Sequence, residues 1–134
     1  DRSTNVRYGD EVMASLVVRN LGSAPWPVAG ANPVRLGTTT PNDRISGFFT
    51  GSGTDPWLSP TRASGIDGLV TNLNPLSTAP VTEVKQGELA LFRTRLKAPA
   101  VQPGVYNDFL NLVHEGVGWF PDYRIYYPLN ILGP

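Results

Sequence analysis

Helix breakers set the terms on which this chain can fold. The sequence holds 14 glycines and 13 prolines, and between Gly37 and Gly87 they recur at Pro41, Gly47, Gly51, Gly53, Pro56, Pro60, Gly65, Gly68, Pro75 and Pro80. A proline inside a helix removes a hydrogen bond and clashes with the preceding turn, and an interior glycine costs roughly 1 kcal/mol against alanine. Long helices are not expected, and the pattern predicts an all-β chain with many turns.

The segments between these breaks alternate with the period of a strand. From Asp10 to Asn20, Val12, Ala14, Leu16 and Val18 share one face, and Glu11, Met13, Ser15, Val17 and Arg19 the other. Such a pattern marks a half-buried strand. From Glu88 to Lys97, Ala90, Phe92, Thr94 and Leu96 oppose Leu89, Leu91, Arg93, Arg95 and Lys97, after a turn at Gln86-Gly87. A third strand is expected over Val105 to Val113 after Pro103-Gly104, and a fourth over Tyr123 to Ile131, where Pro128 points to an edge or a bulge. Only short strands fit inside the long middle connection, at Val34-Leu36 and Ile66-Val70. Val12, Ala14, Leu16, Val18, Phe92, Leu96 and Tyr106 are the expected interior.

A chain of 134 residues has the size of one domain, so residues 1–134 are expected to form a single unit. Lys+Arg and Asp+Glu are both 11, and this balance provides no field to draw the chain to nucleic acid or an anionic membrane. Neither partner is expected. No apolar run approaches a membrane span, so no membrane insertion by this chain is expected either. The absence of cysteine excludes disulfides, thiolate catalysis and zinc–thiolate sites.

Several motifs form an ordered series. Asn20-x-Gly22 leads to Pro25-Trp26, then to Asn32-Pro33-Val34-Arg35-Leu36-Gly37-Thr38, Asp43-Arg44, Trp57 and Arg62. The series closes with Phe109-x-Asn111-Leu112-Val113-x-Glu115-Gly116-x-x-Trp119-Phe120-x-Asp122. Over nearly its whole length the chain thereby resembles bacterial cell-surface immunoglobulin-like domains related to the four-tryptophan domain of autophagy receptors. The resemblance implies an immunoglobulin-like antiparallel β-sandwich, extracellular or at the bacterial cell surface. It implies an accessory module, often beside peptidoglycan-active or other envelope-associated domains, with no catalytic centre. Of the 3 tryptophans here, Trp26 has a counterpart among the family's four, while Leu16 and Leu110 stand where two others would be. Peptide recognition by the eukaryotic branch therefore does not carry over residue by residue.

Trp26, held between two prolines, is expected to cover one end of the core, and Tyr106 to tie a sandwich corner to nearby backbone. Asn20 and Asn111 carry short amides suited to capping turns. The candidate binding residues are Trp57 and Arg62, in the middle connection, and Trp119, Phe120 and Tyr123 near the end of the third strand. An aromatic face beside a guanidinium can hold a sugar, a peptide or a planar group. The alternative for Trp57 is a loop anchor, with Arg62 stacked on it or paired with Asp43 or Asp55.

His114 is the only histidine, and no Gly-x-Ser-x-Gly elbow accompanies it. Asp43, Asp55, Asp67, Asp108, Glu115 and Asp122 follow no hydrolase or calcium-loop spacing. No enzyme activity, cofactor or metal is expected. Two roles stay open: a structural or spacer module of an exported surface or filament-forming protein, contacting neighbouring domains or copies of itself, or a binding module for cell-wall glycan, peptide or a protein partner. In the second role it would be an accessory to a peptidoglycan hydrolase.

Overall fold

A computed structural model describes residues 3–49 and 57–134. Among these there is no helix, as the glycine and proline pattern requires. The strands are β1 (Thr4–Val6), β2 (Glu11–Arg19), β3 (Trp26–Pro27), β4 (Val34–Thr38), β5 (Arg62–Gly65), β6 (Gly68–Leu73), β7 (Leu76–Ala79), β8 (Glu83–Val84), β9 (Leu89–Lys97), β10 (Gly104–His114), β11 (Gly118–Trp119) and β12 (Ile125–Ile131). One sheet runs β1-β12-β10-β4-β5 with β11 also paired to β10, a second runs β2-β9-β6-β7, and β3 and β8 form a two-stranded ribbon. The β1/β12 pair is parallel, and the other ladders are antiparallel.

Both large sheets bury side chains in one cluster. The first contributes Leu36, Leu110, Leu112, Leu129 and Ile131, and the second contributes Ala90, Phe92 and Leu96. Each large apolar side chain taken fully out of water contributes roughly 1.5–3 kcal/mol, so this cluster is the main source of cohesion. The alternation along β9 is as expected on its core face, but Leu91, assigned to the other face, is buried too. It lies beside Val17 and opposite Gly68.

Two expectations need correction. The stretch from Gly37 to Gly87 is less irregular than its composition suggests, because β5, β6, β7 and β8 all fall within it. A hairpin joins β6 to β7, with the Asn72 amide donating to the Pro75 carbonyl at its turn. Tyr106 is not interior: it is 37% exposed. It pairs with Leu129 of β12 on the part of β10 that runs past the end of β4, whose ladder spans only Leu110 to His114. The corner itself is present, with the phenol donating to the Gln102 carbonyl at 2.7 Å.

Pro128 sits where its missing N–H does least harm. β1 pairs only with Leu129 to Ile131, so among the described residues no strand pairs with Pro128 on the flank of β12 away from β10, the usual place for a strand proline.

Candidate functional site

The residues Asn20 to Trp26 leave β2 and wrap over one end of the core. Asn20 is fully buried, and its amide group donates to the carbonyls of Ala24 and Val84, both at 3.0 Å. Its carbonyl oxygen accepts the Gly22 N–H. One short side chain thus satisfies two polar groups of a turn and, through the Val84 carbonyl, ties it to β8. The turn delivers Trp26 into the core, where its ring meets Phe120 edge-on at 5.5 Å.

On the far side, Asn111 of β10 performs the matching task. Its amide donates to the Phe120 and Pro121 carbonyls, and the Phe120 N–H donates to the Leu112 carbonyl. These bonds place Phe120 and the following turn against Trp26. Between the two turns lies a groove of about 490 Å³, lined by residues 18–26 together with His114, Phe120 and Tyr123. Leu21, 75% exposed, and Tyr123, 53% exposed, flank it. Size and an apolar lining with a few polar groups are the ordinary attributes of a small-ligand cleft.

Of the five residues marked from sequence, only Phe120 and Tyr123 belong to this groove. Trp119 ends β11 and Phe120 lies just beyond it, and the two do not form a common strip. Phe120 packs against the core, whereas Trp119 lies over Gly37, where an added Cβ would meet its Cη2 at 2.7 Å. There Trp119 takes the Arg62 guanidinium at 5.3 Å from its ring centroid.

Arg62 is held by more than the ring. Its Nε donates to Glu115 Oε2 at 2.7 Å and its Nη2 to Glu115 Oε1 at 3.3 Å, and Nη1 pairs with Asp43. Arg35 approaches the same Glu115 carboxylate at 3.6 Å. Burial by itself would lower the Arg62 pKa, but hydrogen bonds and charge from Glu115 and Asp43 outweigh it and hold the guanidinium above its ordinary value. A cation so engaged on two sides and stacked on a third has its fork geometry filled by the protein itself.

Trp57 stands apart from Arg62. It is 4% exposed, its indole N–H donates to the Arg95 carbonyl at 2.7 Å, and its ring meets Phe49 edge-on at 5.9 Å. The proposed pair of Trp57 with Arg62 as one recognition face is not assembled: Trp57 presents almost no surface, and Arg62 stacks on Trp119 instead. Of Arg62's two expected carboxylate partners, Asp43 makes the contact, and Asp55 lies outside the described residues.

The remaining acidic residues are also dispersed. Asp108 is buried, pairs with Arg44 at 2.6 Å, and accepts the Ser46 hydroxyl at 2.6 Å. Ser46 in turn accepts the Phe48 N–H. Asp67 faces Arg93 at 3.7 Å, and Asp122 accepts the Arg124 N–H. Opposite Asp108 in the β10/β12 ladder lies Tyr127. Burial pushes its phenol above the ordinary value, the nearby Thr94 hydroxyl opposes that shift, and Asp108 adds to it. Its oxygen has no hydrogen bond of full geometry among the described residues. No group of three or more metal-binding side chains occurs among the described residues, nor any helix long and apolar enough to cross a membrane.

Leu21, His114 and the backbone of residues 22–25 were not marked from sequence as site residues, yet they line the groove. The available signal was the Asn20-x-Gly22 turn with Pro25-Trp26 after it, which reads as a structural cap. A cap that stands off the surface also makes a wall. Comparison with protein-family models and with curated proteins finds no match to this chain.

Proposed function

We propose that this chain is a non-catalytic immunoglobulin-like sandwich that serves as a structural module of an exported bacterial surface protein, joining neighbouring domains or copies of itself. The observation that carries the reading is where its charges go. Arg62 with Glu115 and Asp43, and Arg44 with Asp108, tie strands to loops, and these carboxylates do not converge on an open cavity as a catalytic pair would. His114 lines the groove without a carboxylate among the other lining residues.

The immunoglobulin-like assignment draws support from the strand order. One sheet of β1-β12-β10-β4-β5 faces another that begins β2-β9, a short first strand runs parallel to the last, and a tyrosine hydroxyl bonds backbone four residues upstream at the start of β10. These are features of that sandwich class.

One observation favours a second reading. The groove between Asn20–Trp26 and Phe120–Tyr123 has an exposed tyrosine ring at its rim, and a sugar ring of a cell-wall glycan could stack on it. The two readings are separated by titrating purified chain with cell-wall glycan fragments and a peptide panel under heteronuclear NMR, alongside turnover assays on peptidoglycan. The structural module gives no turnover and no saturable shifts. Saturable shifts at Leu21, Phe120 and Tyr123, lost in Tyr123→Ala, establish the glycan reading in its place. Turnover that survives purification overturns both.

A further inference from the structure

The edge strands of the two sheets are unequal. β1 has three residues, and β5 and β7 have four each, with β7 bracketed by Pro75 and Pro80. Short strands and flanking prolines are ordinary ways of blunting an edge. β2 is nine residues long, pairs with β9 without a register shift, and contains no proline and no charge on its core-facing side.

That core-facing side is also incompletely covered. Val12, Ala14, Leu16 and Val18 pack against the core but are only partly buried. Their ladder partners on β9, Leu96, Thr94, Phe92 and Ala90, are at most 2% exposed. The apolar interior therefore opens along the outer flank of β2. A groove of about 390 Å³ meets β2 at its middle, lined by Ser15, Leu16 and residues 123–128.

The hydrogen-bond parity of β2 can be read from its two ends. The Ala98 N–H donates to the Asp10 carbonyl, and the Asn20 N–H donates to the Glu88 carbonyl, so the even-numbered residues direct their backbone groups toward β9. Alternate residues of an antiparallel strand point the other way. The N–H and C=O groups of Glu11, Met13, Ser15, Val17 and Arg19 accordingly face the flank with which no strand pairs among the described residues.

We propose that this flank binds a second copy of the chain, β2 against β2, antiparallel, about a two-fold axis at Ser15. Parity restricts the register, because only odd-numbered residues can form the hydrogen-bonded pairs. The register centred on Ser15 uses all five, for about ten new backbone hydrogen bonds. It sets Glu11 opposite the partner's Arg19 at both ends, a charge match that no sliding by two residues preserves. On the core side Val12 meets the partner's Val18 and Ala14 the partner's Leu16; on the outer side Met13, 44% exposed, meets the partner's Val17. Glu11 already lies 3.8 Å from Arg95, and Arg19 donates to the Gly87 carbonyl. Both side chains belong to exposed residues and keep oxygen and N–H groups free to reach across. This interface rests on the structural-module reading and names its partner.

Sedimentation velocity on the whole chain from about 1 µM to about 1 mM tests it. A reversible monomer–dimer equilibrium is expected. Glu11→Arg and Arg19→Glu each place two like-charge pairs across the interface and raise the dissociation constant about tenfold, and the double exchange restores it. Ser15→Pro removes an outward N–H and leaves the ladder to β9 intact, so the variant keeps its circular dichroism spectrum and sediments as a monomer. A chain that stays monomeric throughout overturns the proposal, as it would if β2 instead took an extended segment of a different protein. A dimer that persists in folded Ser15→Pro, or that the double charge exchange fails to restore, overturns it too. None of these readouts involves turnover or glycan binding, so failure here leaves the module reading standing.

Discussion

Replacing Gly37 by alanine has a sign that depends on a side chain 82 positions away along the chain. Gly37 has no positive backbone angle that would require glycine. On backbone grounds alone the substitution should therefore stabilise by about 0.4–1 kcal/mol, since alanine restricts the unfolded chain. Tertiary structure reverses this. The new methyl carbon would lie 2.7 Å from Trp119 Cη2, 3.1 Å from Trp119 Cζ3 and 3.0 Å from Arg62 Nη1. The indole is rigid, and the guanidinium stacked on it is held by Glu115 and Asp43, so neither can retreat without losing contacts. Overpacking of this kind costs about 1–3 kcal/mol, and loss of an exposed cation–π contact adds about 0.5–1 kcal/mol. The net expectation is a destabilisation of about 1–2 kcal/mol.

A double-mutant cycle in urea isolates the argument. In the Trp119→Ala background the rigid indole is gone and only the Arg62 guanidinium, the end of a flexible side chain no longer stacked on a ring, remains near the new methyl, so Gly37→Ala should be neutral or stabilising by about 0.5 kcal/mol. The coupling between the sites is then about 2 kcal/mol. If Gly37→Ala has the same effect in both backgrounds, or stabilises the parent chain, Trp119 does not lie over Gly37 as described.

Trp26→Ala, which removes a buried ring and its contact with Phe120, should cost about 3–5 kcal/mol in chemical denaturation, and an unchanged midpoint would show that the ring is not a core anchor. Asp108→Ala leaves Arg44 and the Ser46 hydroxyl without their shared acceptor and should cost about 3 kcal/mol, readable by calorimetry. The raised phenol pKa of Tyr127 means that above pH 10 the unfolded state releases this proton before the folded state does. Its contribution is fully present below about pH 10 and is lost as pH rises through the folded value. Urea midpoints should therefore fall more steeply above pH 10 in the parent chain than in Tyr127→Phe, and parallel profiles would refute the assignment.

What local pattern determines in this chain is the type and rough extent of its elements. Strict alternation placed β2 and β9 to within a residue or two, because a strand exposes its period directly in the order of side chains. Glycine and proline content excluded helices for an equally local reason. Tyr106 was legible as a corner and Asn20 as a cap because each bonds backbone two to four residues away, whereas the longer reach of Asn20 to Val84 and of Asn111 to Phe120 and Pro121 was not.

Which partners meet was a tertiary matter. Trp57 and Arg62 are five positions apart but share no face, while Arg62, Glu115, Asp43 and Trp119 converge from β5, the turn after β10, the loop after β4 and β11. Composition could not place Leu21, His114, Phe120 and Tyr123 around one groove either. Nor does alternation reveal that β2 ends its sheet among the described residues. An edge strand and a central strand carry the same period, and only the topology of the sheet decides whether the second set of backbone groups finds a partner.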